Sequence, residues 1–80
     1  MSEVLKFKGR LQEAALRLRE LKLRIEGLVG SIRDQLDPLA EIEDLRCDIV
    51  AEQAVQLADL HIQHQECVRK IDAINKALGR

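Results

Sequence analysis

Hydrophobic residues recur along the first 36 positions at alternating intervals of three and four. The series is Val4, Phe7, Leu11, Ala14, Leu18, Leu21, Ile25, Leu28, Ile32 and Gln35, and nine of the ten are apolar. This heptad pattern is typical of an α-helix that packs one stripe against a partner helix. It predicts a first helix over residues 3–36. Gly27 and Gly30 could break it, since each costs about 1 kcal/mol relative to alanine, but we expect a continuous helix.

The dipeptide Asp37-Pro38 predicts the end of the first helix and the start of a second. Proline disfavours helical geometry in the residue before it. Aspartate is a favourable N-cap, and proline is tolerated at the first helical position. Glu41, Glu43 and Asp44 would then place negative charge near the helix N-terminus, where the macrodipole favours it. We therefore expect a turn at residues 36–38 and a second helix over residues 38–78.

The predicted second helix carries its own apolar seam. Its positions are Ile42, Leu45, Ile49, Gln53, Gln56 or Leu57, Leu60, His64, Cys67, Ile71, Ile74 and Leu78. Their mean spacing of about 3.6 predicts a nearly straight helix. Because a short turn makes consecutive helices antiparallel, the chain is expected to be all-α: two long antiparallel helices forming a coiled-coil-like αα-hairpin in one domain, residues 1–80. Paired positions would sum to about 75.

Further apolar side chains lie opposite each predicted seam. They are Leu5, Leu16 and Leu23 in the first helix, and Ala51, Val55, Ala58 and Ile62 in the second. A helix that is apolar on two sides usually has two partners, and a lone hairpin has too little interior to offset its conformational entropy. We therefore predict a homo-oligomer, favouring a symmetric dimer that forms a four-helix bundle. A trimer, a tetramer or a hetero-complex would use the same surfaces.

Composition narrows the function classes. The chain has 80 residues, of which 46% are hydrophobic and 34% charged, and Phe7 is its one aromatic side chain. This composition is typical of long helices or coiled coils. The net charge of −1 does not indicate a strongly basic nucleic-acid domain, and with so many apolar residues it argues against disorder.

Targeting and redox signals predict a cytoplasmic protein. No uncharged run of 18 residues is present, so we expect no membrane span. The N-terminus lacks the layout of a secretion signal. Cys47 and Cys67 would lie about 30 Å apart on one helix, too far for an intrachain disulfide. Reduced thiols agree with a cytoplasmic location.

Charge is distributed unevenly along the chain. Residues 1–36 carry eight Lys or Arg and five Asp or Glu, whereas residues 37–80 carry five and nine. Folding at Asp37 would give the hairpin an acidic turn end and a basic open end. The basic candidates are Lys6, Lys8, Arg10, Arg69, Lys70 and Lys76. An alternative function is therefore a small nucleic-acid-binding hairpin dimer that uses these side chains.

His61, His64 and Cys67 have the side chains of metal ligands. Zinc needs three or four N, S or O ligands in tetrahedral geometry. On one helix His61 and Cys67 point about 120° apart, so a second chain would have to complete the site. A metal-stabilised assembly is thus a further alternative. We favour a role for His64, Gln53 and Gln56 as polar seam residues that set register.

No catalytic constellation is evident, and no cofactor is expected. Neither cysteine stands in the context that activates a nucleophile. The segment Leu21–Leu45, with the closing residues INKALGR, resembles small helical proteins of Mu-like prophages. That resemblance implies a phage-accessory context without a defined activity. The predicted function is that of a non-enzymatic helical-bundle protein that acts by binding an unidentified protein partner.

Overall fold

The computed structural model describes residues 3–79, which form two long helices in an elongated hairpin. Helix α1 spans Glu3–Gln35 and helix α2 spans Cys47–Ala77. A short 3-10 helix, Ile42–Asp44, lies in the connection between them, and no strand occurs within residues 3–79. The rod measures 61 × 19 × 14 Å. Neither helix of this range has the length and apolar character needed to cross a membrane.

Helix α1 runs through Gly27 and Gly30 without a break. A Cβ atom added at either glycine would meet nothing within 4 Å, so close packing does not require glycine there. Glu3 in the first turn and Arg33 in the last turn complement the helix macrodipole. The continuous heptad seam is therefore sufficient to offset the low helix propensity of the two glycines.

The second helix begins at Cys47, so the predicted start at residue 38 is wrong. Asp37 and Pro38 form a turn instead. The Leu39 N–H donates to Asp37 Oδ1 at 2.9 Å, and the Ala40 N–H donates to the Asp37 carbonyl oxygen at 3.1 Å. An aspartate that accepts a hydrogen bond from the residue two positions on makes the same local contact in a turn as at a helix N-cap.

Charge repulsion disfavours a helix that continues from this turn. Asp37, Glu41, Asp44 and Asp48 are spaced by three or four residues, and a helix through them would place the four carboxylates along one face. Like charges at that spacing destabilise a helix, which opposes the favourable effect of acidic residues near its N-terminus. Residues 36–46 form the connection, which contains the Asp37 turn and the 3-10 helix and which we call the tip.

The seam is built on seven-residue spacing in both helices. Ala14 and Leu21 are buried in α1, and Leu60, Cys67 and Ile74 are buried in α2. From Gln53 onward the α2 seam alternates intervals of four and three, which is a heptad rhythm. The predicted mean spacing of 3.6 comes from three successive intervals of four, from Leu45 through Ile49 and Gln53 to Leu57.

The longer connection also shifts the register between the helices. Cys67 Sγ donates to the Ala14 carbonyl oxygen, Arg17 bonds Gln63, and Ser31 bonds Gln53. Their residue numbers sum to between 80 and 84, not to the predicted value near 75. At these contacts α1 therefore faces residues of α2 that lie five to nine positions later than the sequence predicts, which is about one and a half to two and a half helical turns.

Candidate interaction surfaces

One side of the hairpin is a shallow polar groove between the helices, which we call the polar face. Two adjoining stretches have volumes of about 430 and 400 Å³. Polar or charged residues of the lining are Glu13, Arg17, Arg24, Gln56, Asp59, Gln63, Glu66 and Lys70. The Arg17 guanidinium donates to Gln63 Oε1 at 2.9 Å, and Gln63 Nε2 donates to Asp59 Oδ2 at 2.9 Å. Cations and carboxylates alternate here, which is the pattern of a solvated helix surface.

The buried seam residues lie beneath that groove. Leu60 contributes to one stretch, and Ala14, Leu21 and Cys67 contribute to the other. Leu28 is a half-buried seam residue that also borders the groove. Eight further seam positions are half-buried and, at 100° per residue, lean towards the other side of the hairpin. They are Leu11, Leu18, Ile25, Ile32, Leu57, His64, Ile71 and Leu78. Burial is therefore more complete on the groove side of the seam than on the other.

That second side forms a largely aliphatic surface, which we call the apolar face. Exposed residues flank its half-buried seam positions: Ala15, Lys22 and Val29 on α1, Leu36 directly after α1, and Ala54, His61 and Val68 on α2. Helices in globular folds bury an apolar stripe against another layer. A helix pair with one incompletely covered side fits one layer of a two-layer bundle.

The six residues predicted for an oligomer interface are all exposed, but they lie on two opposite edges of the rod. Leu16 and Leu23 are on the side of α1 that faces away from α2, and Val55 and Ile62 are on the side of α2 that faces away from α1. Ala51 and Ala58 lie beside Val55 and Ile62 on the surface of α2. Leu5, near the start of α1, is also exposed. A single flat partner cannot cover both edges at once.

The proposed metal ligands are not brought together within one chain. His61 is exposed, His64 is half-buried, and Cys67 is buried. Over residues 3–79 no group of three His, Cys, Asp or Glu side chains is placed to hold a metal ion. The histidines lean towards the apolar face, whereas Cys67 borders the polar groove and donates to Ala14. Cys47 is exposed, and both cysteines are free thiols.

Polar seam residues near the tip hydrogen bond across the hairpin. Gln35 Nε2 donates to Gln53 Oε1 at 2.7 Å, and Gln53 Nε2 donates to Ser31 Oγ at 3.0 Å. The sequence pattern placed both glutamines on the predicted seams but did not identify Ser31 as their partner. Ser31 lies one helical turn before Gln35, and this spacing was the signal that could have revealed it. Gln56 lines the polar groove, and the seam position is taken by Leu57. The amide network fits the expected role of polar residues in setting register.

The basic residues gather at the open end but do not share one face. Lys6, Lys8, Arg10, Arg69, Lys70 and Lys76 are all exposed. Arg69 and Lys76 lie along the outer edge of α2, whereas Lys70 lines the polar groove. The Arg10 guanidinium lies 5.9 Å from the centroid of the Phe7 ring. The open end therefore carries a positive field and no continuous phosphate-binding stripe.

The tip combines negative charge with exposed aliphatic side chains. Its acidic residues are Asp37, Glu41, Glu43 and Asp44, against Arg46 as its one base. Leu39 and Ile42 are 90% and 81% exposed. The tip therefore presents two large aliphatic side chains to solvent among its carboxylates.

Comparison with protein-family models, curated protein sequences and solved structures yields no match to this chain.

Proposed function

We propose that the protein is a non-enzymatic assembly protein whose two copies join through their apolar faces into a four-helix bundle that binds another protein. The proposal rests on the incomplete burial of the seam. Leu18, Ile25 and Ile71 pack against the core and remain half-buried on the apolar face, while Leu28 is half-buried at the groove. A second copy placed on that side would complete their burial. No catalytic step and no cofactor are assigned to the chain.

The energetics of a small hairpin support a second layer. Only Ala14, Leu21, Leu60, Cys67 and Ile74 are buried hydrophobic residues in the described range. Burial stabilises by about 25 cal/mol per Å² of apolar surface, while ordering each residue costs about 1–2 kcal/mol of backbone entropy. Chains of this size usually need additional support, of which oligomerisation is one form.

Such a dimer leaves the outer edges open for protein partners. Leu16 and Leu23 would remain exposed on each α1, and Val55 and Ile62 on each α2. Twofold symmetry would present each edge twice, which suits a scaffold that holds two copies of a partner. We propose this adaptor role within the phage-accessory context that the prophage resemblance implies.

Sedimentation equilibrium of the full chain tests the assembly. We expect a species of twice the 9.1 kDa chain mass. Replacing Val29 and Val68 with Glu places charge on the apolar face, so V29E/V68E is expected to be monomeric. The matched variant L16E/L23E changes an outer edge and is expected to remain dimeric. A folded wild-type monomer at high concentration would contradict the proposal.

A further inference from the structure

We infer that the two copies in this dimer run antiparallel, so that the acidic tip of each hairpin covers the basic open end of the other. The inference rests on the proposed dimer and specifies its arrangement and its contact surfaces. The occupant of the tip is thus a second copy of this chain.

Charge complementarity between the two ends is the first observation. The tip carries four carboxylates and one guanidinium, and Asp34 and Asp48 lie beside it. The open end carries six exposed cations, with Glu3, Glu66 and Asp72 as nearby acids. A parallel dimer would bring tip to tip and open end to open end, which places like charges together. An antiparallel dimer brings opposite charges together at both ends.

Exposed aliphatic side chains at both ends are the second observation. Leu39 and Ile42 have almost no cover within the hairpin. At the open end Val4 and Val68 are also exposed, and Val68 belongs to the apolar face. An antiparallel second copy would therefore offer aliphatic contacts to the tip as well as opposite charge. Leu39 and Ile42 would be covered as the apolar faces meet.

The length and order of the connection are the third observation. An αα-hairpin needs a loop of only about 2–5 residues, whereas the tip spans residues 36–46. It is held by the Asp37 turn and by hydrogen bonds through the 3-10 helix, from Asp44 N to the Glu41 carbonyl oxygen and from Leu45 N to the Ile42 carbonyl oxygen. A longer ordered loop costs conformational entropy that a single hairpin does not recover. Contact with a second copy would offset that cost.

Symmetry favours a closed antiparallel pair over end-to-end stacking. A twofold axis perpendicular to the rod makes both tip contacts identical and leaves no unfilled end, whereas head-to-tail stacking would extend indefinitely. The two α2 helices would then cross near their midpoint, at the level of His61 on the apolar face. In this arrangement one contact, between a tip and an open end, occurs twice and covers both ends of each hairpin.

Cys47 provides a direct measurement of the arrangement, because it is an exposed thiol at the base of the tip. Cys67 is replaced by Ala, so that a nitroxide label attaches to Cys47 alone. Pulsed electron paramagnetic resonance then measures the distance between the labels on the two copies. The antiparallel dimer predicts about 45 Å, the length of α2 at 1.5 Å per residue. A parallel dimer predicts less than about 20 Å from ordinary interhelical distances. The short distance would overturn the inference while leaving the dimer intact.

Charge reversal gives a second test that does not need the C67A background. The tip variant E41K/E43K/D44K reverses three exposed carboxylates, of which Glu41 precedes the 3-10 helix without capping it through its side chain, and we expect the variant to weaken the dimer about tenfold or more at low salt. Adding K6E/K8E/R69E reverses the open end as well and is expected to restore wild-type affinity. In a parallel dimer the two tips face each other. The tip variant would then dimerise as tightly as wild type, because two positive tips repel each other as much as two negative tips do.

A net-charge control separates complementarity from general repulsion. The variant E13K/E26K/E52K makes the same change in net charge at three exposed positions outside the tip and the open end. We expect little loss of affinity in this control. Equal weakening in the control and the tip variant, or failure of the open-end reversal to rescue, would overturn the antiparallel arrangement. A monomeric wild type would instead remove the proposed function on which it rests.

Discussion

The Cys67 thiol donates a 3.2 Å hydrogen bond to the carbonyl oxygen of Ala14, in the buried centre of the hairpin. A side chain can reach a backbone oxygen of the facing helix only where that helix presents a small residue. Ala14 has only a methyl group, and both residues are buried. This contact therefore marks a position of close helix approach and helps to define the register.

Enlarging Ala14 should destabilise the hairpin. Ala14→Leu forces three additional heavy atoms into the contact with Cys67, and overpacking of this kind costs about 1–3 kcal/mol. Urea unfolding followed by circular dichroism measures the loss. Ala73→Leu adds the same atoms at an exposed position of α2 and is expected to change the free energy of unfolding by less than about 0.5 kcal/mol. Equal effects in the two variants would contradict the close approach.

Two leucines within one turn of α1 should behave differently. Leu21 is 1% exposed and Leu23 is 63% exposed. Leu21→Ala leaves a cavity and is expected to cost about 2–5 kcal/mol, enough to unfold so small a hairpin. Leu23→Ala removes an uncovered side chain, so the helix content should be retained. The thermal midpoint of each variant, compared by circular dichroism, checks the difference.

The Gln35–Gln53 hydrogen bond should show measurable coupling. In a double-mutant cycle with alanine at each position, we expect a coupling free energy of about 0.5–1.5 kcal/mol, because the bond is half-buried. The exposed Arg17–Gln63 bond provides the comparison and should couple less strongly, since water competes for both groups. Stronger coupling at the exposed pair would show that the amide network does not hold the register.

An antiparallel dimer should respond to zinc through its histidines. His61 and His64 lie near the midpoint of α2, so the histidines of both copies would gather around the twofold axis. Imidazole nitrogens are favourable zinc ligands, and a metal that binds only the assembled form stabilises it. We expect micromolar Zn²⁺ to tighten the dimer in sedimentation experiments on untagged protein, and H61A/H64A to abolish the effect. Tightening that survives in the variant would assign the metal to other ligands.

Nucleic-acid binding should be weak. The six cations of the open end do not share a face, and acidic residues lie among them, so few phosphates can be contacted at once. We expect no binding of short duplex or single-stranded oligonucleotides at physiological salt in fluorescence anisotropy. Binding whose logarithm falls linearly with the logarithm of salt concentration, and which K6E/K8E/R69E removes, would support the alternative function.

Heptad spacing was sufficient to predict an all-helical chain and most of the seam residues. Periodicity and helix propensity are local properties, so Leu21, Leu60 and Cys67 could be placed on their seam faces without knowing the partner helix. Gln53 could be recognised in the same way, as a polar residue at an apolar position. The uneven distribution of charge also follows directly from residue order.

The length of the connection, the register and the apolar face depended on tertiary structure. Asp37-Pro38 suits a helix N-cap and a turn equally well, and the choice depends on the cost of extending a helix through the clustered carboxylates that follow. Once α2 begins at Cys47, every interhelical pair shifts. The sequence by itself also places the seam residues on one stripe of each helix. It does not distinguish the side of the stripe that is buried from the side that remains half-exposed. Only the packing of α1 against α2 decides that Ala14 and Cys67 are fully buried while Leu18 and Ile71 remain half-exposed, because burial depends on the atoms that surround a side chain in three dimensions.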